Sequence, residues 1–161
     1  MLHFDHKGHL TPYTAIPATI HQLETEFVDN IPSQTRVKNF ENYRNYLSAL
    51  IAACHNEPFV QWVNGSFTTK KTDPSDIDIV SFIDHSLLQS SKKLFEQFVY
   101  PNSFEQYEVD AYIVPVYTHD HQNNSLSISD RLYWMDNFNK TWYNRAGKRL
   151  PKGFLELKFN H

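Results

Sequence analysis

Between Gln34 and Cys54, apolar residues recur at Val37, Phe40, Tyr43, Leu47, Leu50, Ile51 and Cys54. Steps of three and four keep them on one face of a helix, so the pattern predicts an amphipathic helix over this stretch. Pro32-Ser33 supplies a start signal, and Asn56 and Pro58 end it. Phe59–Val63 is aromatic and β-branched, which predicts a strand, broken by Asn64-Gly65-Ser66. The Asp73-Pro74-Ser75 turn precedes a second predicted strand over Asp76–Phe82, Glu108–Val116 forms a third, and Phe154–Phe159 a last. Ser90–Tyr100, with Leu94, Phe95, Phe98 and Val99 on one side, predicts a short helix. Ser129 is a candidate cap for a helix reaching about Trp142 that carries Leu132, Tyr133, Met135 and Phe138. The first thirty residues read as an irregular arm with Pro12 and Pro17 and a helical turn around Leu23–Phe27, and Asn144–Gly153 as a basic loop. Helices and strands interleave, so the expected fold class is α/β (α+β), a mixed β-sheet flanked by helices.

Length and composition narrow this further. A chain of 161 residues is one domain by its length, and its 12 Phe, 9 Tyr and 3 Trp suffice for one packed core. Mean hydropathy is -0.55, and no apolar run reaches the ~18 residues of a membrane helix. The opening Met1-Leu2-His3-Phe4-Asp5-His6 lacks the basic and then apolar regions of a secretory signal. With a single cysteine, Cys54, a disulfide scaffold and a cysteine-only zinc site are excluded, and Cys54 on a helix face is a packing residue. The expectation is a soluble, cytoplasmic protein with no membrane partner. Net charge is only -3, but residues 71–120 hold 9 acidic and 3 basic side chains and residues 121–161 hold 3 acidic and 7 basic. Such a division fits a metal site beside a phosphate site as well as patchy surface charge.

The chemistry is concentrated in the acidic stretch. On a strand, Asp76 and Asp78 point to one side with Cα atoms ~6.6 Å apart, while Ile77 and Ile79 face the core. Two carboxylates at that separation repel by about 3 kcal/mol at an effective dielectric of ~20. A divalent cation offsets this directly, and Mg²⁺ favours a few carboxylates together with substrate phosphate oxygens. Asp110 lies in another apolar strand, and if the two strands are neighbours it faces the same pair. Three aspartates converging from two strands suit a two-metal site. Gly65 permits close backbone approach to a phosphate, and a helix starting near Ser66 would offer free N–H groups. Lys70 and Lys71 follow closely enough to reach the same polyphosphate.

Val63-Asn64-Gly65-Ser66, a nine-residue gap from Phe67 to Ser75, Asp76-Ile77-Asp78-Ile79 and later Val109-Asp110-Ala111 resemble the signature of the DNA polymerase β-like nucleotidyltransferase superfamily. The longer string Gly65–Lys70 through Pro74–Asp78, with the opening Phe4-Asp5 and Gly8–Pro12, is similar to small stand-alone bacterial and phage nucleotidyltransferase-like proteins. The signature covers residues 63–112, and it is more specific for fold than for substrate. The resemblance implies that Gly65, Ser66 and Lys70 bind the nucleoside triphosphate. It implies that Asp76, Asp78 and Asp110 bind Mg²⁺ or Mn²⁺ and carry the catalysis, with Asp110 acting on the acceptor hydroxyl. The implied reaction transfers a nucleoside monophosphate to a hydroxyl of a protein, a nucleic acid or a small molecule, with release of pyrophosphate. A toxin–antitoxin or phage-defence setting and a protein partner are further implications. The alternatives are a non-catalytic nucleotide-binding antitoxin or sensor and an aminoglycoside nucleotidyltransferase.

Other residues leave their readings open. Arg145, Lys148, Arg149 and Lys152 are phosphate ligands for the triphosphate or an acceptor nucleic acid, or else a solvated loop; Arg131 is similar. His3, His6 and His9, and His119-Asp120-His121, have the residue types of transition-metal ligands but lie in polar turns without further ligands at a fixed spacing. Trp62, Trp134 and Trp142 are expected in the core, with one of them free to stack on a base.

Overall fold

The structure, a computed structural model, describes residues 1–160. Its centre is a mixed five-stranded sheet. The strands are β3 (Ala15–Ala18), β4 (Phe59–Asn64), β5 (Asp78–Asp84), β6 (Asp110–Val116) and β7 (Phe154–Phe159), in the order β3-β7-β4-β5-β6. β5 and β6 run parallel, as do β3 and β7, while β4 is antiparallel to both of its neighbours. A separate two-stranded hairpin pairs β1 (His3–Phe4) with β2 (Leu10–Thr11). The α+β expectation is met, but part of the N-terminal arm is a strand: Ala15–Ala18 borders the sheet, with Pro17 tolerated because it sits on an edge.

Helices cover both faces of the sheet. On one face, α1 (Ile20–Glu24, continued by a π-turn to Asp29), α2 (Gln34–Ala53), α3 (His85–Ser90), α4 (Lys92–Phe95) and α5 (Asn102–Tyr107) meet Val63, Ile79, Ile83, Ala111, Leu155 and Leu157 in the main core. On the other, α6 (Asn124–Phe138) lays Trp134, Met135 and Phe138 over Trp62, Val80, Phe82, Val114 and Phe154. Burial of β5 on both sides explains its near-continuous apolar sequence. Ser33 caps α2, accepting from Arg36 N at 3.3 Å, as its position before the helix predicts.

Several boundaries differ from expectation. The strand expected over 76–82 starts at Asp78, because Asp76 and Ile77 form the approach to it. The helix expected over 90–100 is replaced by short helices that begin at His85, directly after β5, where the Asp84 side chain caps Ser86 N at 2.8 Å. The helix expected from Ser129 runs over Asn124–Phe138 instead. Trp62 is fully buried as expected, whereas Trp142 is 82% exposed and lies outside the core. Cys54 is buried, its thiol pushed up to about 11 by desolvation, in keeping with a packing role. Among the described residues, no helix is long and apolar enough to cross a membrane.

One buried cation organises the loop after β4. Arg36 of α2 has no exposed surface. It donates from Nη1 to the carbonyls of Phe27 (2.9 Å) and Phe67 (2.8 Å), and from Nη2 to Thr69 (2.8 Å). Nε donates to the carbonyl of Lys71 at 3.1 Å, and Nη2 also reaches it. Its guanidinium carbon stands 5.2 Å from the Phe67 ring centroid. A lysine offers one point of charge in place of this fork. Arg36→Lys is therefore expected to lower stability by roughly 2–4 kcal/mol through buried carbonyls left without donors, read from the midpoint of urea unfolding.

Candidate functional site

The acidic residues gather where β4 ends and β5 and β6 begin. Asn64 pairs with Asp78, and Asp78 with Asp110, so the three side chains form one row across three strands. Strand alternation puts this row on the α6 side of the sheet, in line with Trp62, Val80 and Tyr112. Beyond it, Tyr112 packs with a tilted ring against Trp134 of α6, centroids 4.8 Å apart, at the margin of the second apolar cluster. The expected neighbour relation of the two strands holds, and Asp110 stands directly beside Asp78. Asp76, outside the strand, acts on both through its charge.

Gly65 completes the floor of the row. Its φ of +82° is a conformation that side-chain-bearing residues rarely adopt, and a Cβ here would lie 1.8 Å from Asp78 Oδ2. The Asp78 carboxylate thus occupies the space that only glycine leaves free. The helix expected at Ser66 is a single 3-10 turn, Ser66–Thr68, whose Ser66 carbonyl accepts from Thr69 Oγ1 at 2.7 Å. Lys70 is directed to the N-terminal hairpin: its ammonium sits 3.9 Å from the Phe4 ring centroid and its N–H donates to Gly8 O at 3.0 Å. Gly65, Ser66, Asp76, Asp78 and Asp110 are therefore brought to one end of the sheet, while Lys70 stands on the β1–β2 hairpin.

Two further residues complete the site: Lys152, legible in the sequence as a phosphate ligand or a solvated loop cation, and Asn64, which sequence reasoning missed. Lys152, just before β7, is almost fully buried, and its Nζ donates to the Gly65 carbonyl at 2.7 Å. Asn64 extends the acidic row, and its Oδ1 is buried without a hydrogen-bond partner. Asp110 Oδ1 is likewise buried and unpartnered. Arg131 pairs with Glu156 at 3.2 Å and covers the Trp62 ring at 4.9 Å, which gives it a structural use outside the row. His9 rests 3.7 Å from Asp5, and burial lowers its pKa. His119 and Asp120 are almost fully exposed, and His121 instead stacks on Tyr117 at 4.7 Å.

The electrostatics follow from the crowding. Burial, then the charges of Asp76 and Asp110, push the Asp78 carboxyl up to about 7, with Lys152 opposing. Burial and Asp76 also raise Asp110. Burial is the largest cause at both groups, and Asp78 is the more strongly raised of the coupled pair. Burial brings the Lys152 ammonium down to about 8 against the pull of Asp78. Desolvation thus outweighs mutual attraction at both groups.

No three His, Cys, Asp or Glu side chains among the described residues form a ready cluster of metal ligands. The row nevertheless suits Mg²⁺, which usually takes one or two carboxylates from the protein and completes its shell with water and phosphate oxygens. Two adjacent carboxylates, an unpartnered Asp110 Oδ1 and a carboxylate seated over a bare Cα meet that need. In the comparisons with known proteins, a model described as "Family of unknown function (DUF6932)" matches residues 2–158. No curated protein and no solved structure matches the chain.

The raised Asp78 has a consequence for stability. Between the ordinary aspartate value and about 7, the folded protein keeps a proton that the unfolded chain has released, so its stability falls as pH rises through that window. In metal-free buffer at pH 8, Asp78→Asn is expected to stabilise the fold by on the order of 2–4 kcal/mol. The gain should vanish near pH 4, as measured by denaturant unfolding at a series of pH values.

Proposed function

The chain belongs to the family of unknown function DUF6932, and from the geometry of its acidic row we propose that it is a divalent-metal-dependent nucleotidyltransferase. The reading is supported above all by the register pair Asp78–Asp110 lying over the Cβ-free surface of Gly65. The donor is a nucleoside triphosphate, and the acceptor carries a hydroxyl. Asp78 and Asp110, with Asp76 at the approach, hold Mg²⁺ or Mn²⁺, which when bound neutralises triphosphate charge and acidifies the acceptor hydroxyl. The Gly65-Ser66 turn carries the triphosphate. Lys152 holds the Gly65 carbonyl and adds a positive charge below the phosphates. The Asp110 carboxylate, whose Oδ1 has no hydrogen-bond partner among the described residues, takes the proton of the attacking hydroxyl. The hydroxyl oxygen bonds to the α-phosphorus as the bond to pyrophosphate breaks.

A second reading, a nucleotide-binding sensor or antitoxin without catalysis, is favoured by Lys152, whose ammonium already stands near Asp78 and partly neutralises it. The fold of such a module, and a toxin–antitoxin or defence role, are compatible with either reading. An aminoglycoside acceptor is tested in the same assay.

The test is transfer of label from each α-³²P nucleoside triphosphate, with Mg²⁺ or Mn²⁺, to total cell protein, total RNA or kanamycin. Transfer is expected to fall by about a thousandfold or more in Asp78→Asn and Asp110→Asn. It is expected to be lost equally in Gly65→Ala, whose new methyl group displaces Asp78. Triphosphate binding without transfer under every condition would instead establish the sensor.

A further inference from the structure

The segment between α6 and β7 has a composition that its neighbours do not share. From Asn137 to Leu155 there is no acidic residue, and there are five basic ones: Lys140, Arg145, Lys148, Arg149 and Lys152. It is ordered as a hairpin. Lys140 and Pro151 form a β-bridge, Thr141 N donates to Leu150 O at 2.7 Å, and Asn144 N donates to Lys148 O at 2.9 Å. The tip turns at Gly147, with φ of +70° and open space where a side chain would stand.

On this framework Trp142 is 82% exposed and Tyr143 58% exposed. Their rings meet edge to face at 82° with centroids 5.6 Å apart, so they present two separate π-faces. Arg149 fixes the arrangement: it donates to Thr141 O at 2.8 Å and Asn137 O at 3.0 Å, and its guanidinium carbon lies 5.7 Å from the Tyr143 centroid. Lys140 is paired with Asp136. Arg145 and Lys148 make no ion pair among the described residues and stand exposed beside the aromatic pair.

Exposed aromatic faces held by an ordered backbone and flanked by uncompensated cations match a polymer that alternates aromatic rings with phosphates. At the foot of the same hairpin, Lys152 reaches the Gly65 carbonyl at 2.7 Å, so a strand laid along the hairpin leads to the acidic row.

We propose that the 140–152 hairpin binds single-stranded nucleic acid, bases stacking on Trp142 and Tyr143 and phosphates contacting Arg145 and Lys148, and that this strand presents the acceptor hydroxyl. The second half rests on the nucleotidyltransferase reading; the first does not. In the transfer step, the terminal hydroxyl oxygen of the strand bonds to the α-phosphorus, pyrophosphate leaves, and the hydroxyl proton passes to Asp110.

The test is fluorescence polarisation with labelled RNA and DNA single strands of about 12 nucleotides and the corresponding DNA duplex, without nucleoside triphosphate. The wild-type protein is expected to bind one or both single strands more tightly than the duplex. Trp142→Ala should weaken binding about tenfold, while Trp142→Phe, which keeps a π-face, restores most of it. Arg145→Glu combined with Lys148→Glu should reduce the steepness of the salt dependence by about two ion equivalents. Unchanged thermal midpoints show that the variants remain folded. Absence of binding up to about 100 µM, duplex binding equal to single-strand binding, or Trp142→Ala binding like wild type would each overturn the proposal. Binding through the hairpin without any label transfer would refute the enzymatic reading and leave the binding site standing. Label transfer to protein or kanamycin with no strand binding would do the reverse.

Discussion

The Arg36 guanidinium is the contact on which the site depends. Backbone carbonyls removed from water must find donors, and the irregular stretch between β4 and β5 has little pairing to provide them, an isolated bridge between Thr69 and His9. Arg36 supplies them from the side, joining the carbonyls of Phe67, Thr69 and Lys71 to that of Phe27 at the end of the first helical segment. Its own charge is deeply desolvated and its pKa falls to about 10, with only the more distant Asp73 opposing. Aromatic faces of Phe67 and Phe27 supply part of the missing solvation. The outcome is a loop whose path leaves little freedom at Gly65, and hence a fixed seat for Asp78.

Above that seat the molecule concentrates an unfavourable field. Asp76, Asp78 and Asp110 repel one another where water is scarce, and the compensation at Asp78 comes from Lys152, a lysine that burial itself discourages from ionising. A structural role alone does not account for this arrangement, since an asparagine at 78 would keep the shape without the repulsion. Sites that tolerate such a cost usually recover it when a ligand of opposite charge arrives.

Much of this was legible along the chain. The long period-3.6 stretch and the final strand appear where their patterns put them, Gln34–Ala53 and Phe154–Phe159. The Asp-x-Asp stretch and the isolated Asp110 stood out because charge in an apolar strand is costly. Other features needed the third dimension. Asn64 becomes part of the row only through strand register, which no local pattern encodes. Lys152 is legible as a phosphate ligand or a solvated loop cation, but its burial against Gly65 is not, and the available hint is its place between Pro151 and Gly153 immediately before a buried strand. α6 starts before the Ser129 cap and ends before Trp142; of the apolar residues that mark it, Met135 and Phe138 do pack on the sheet, joined by Trp134, whereas Leu132 and Tyr133 are 64% and 62% exposed. β3 is hidden in the sequence because Pro17 argues against a strand unless its unpaired side is known to be an edge.

The strand order carries an implication for biosynthesis. β7, made after every other strand, does not lie at the border of the sheet but between β3 and β4. While the ribosome still covers it, β3 has no sheet neighbour, β4 has one bare edge, and the amine that grips Gly65 has only just been added. Until β7 is in place the sheet has open edges while β5 and β6 can already pair, so its closure joins segments far apart in sequence, the slow kind of contact to make.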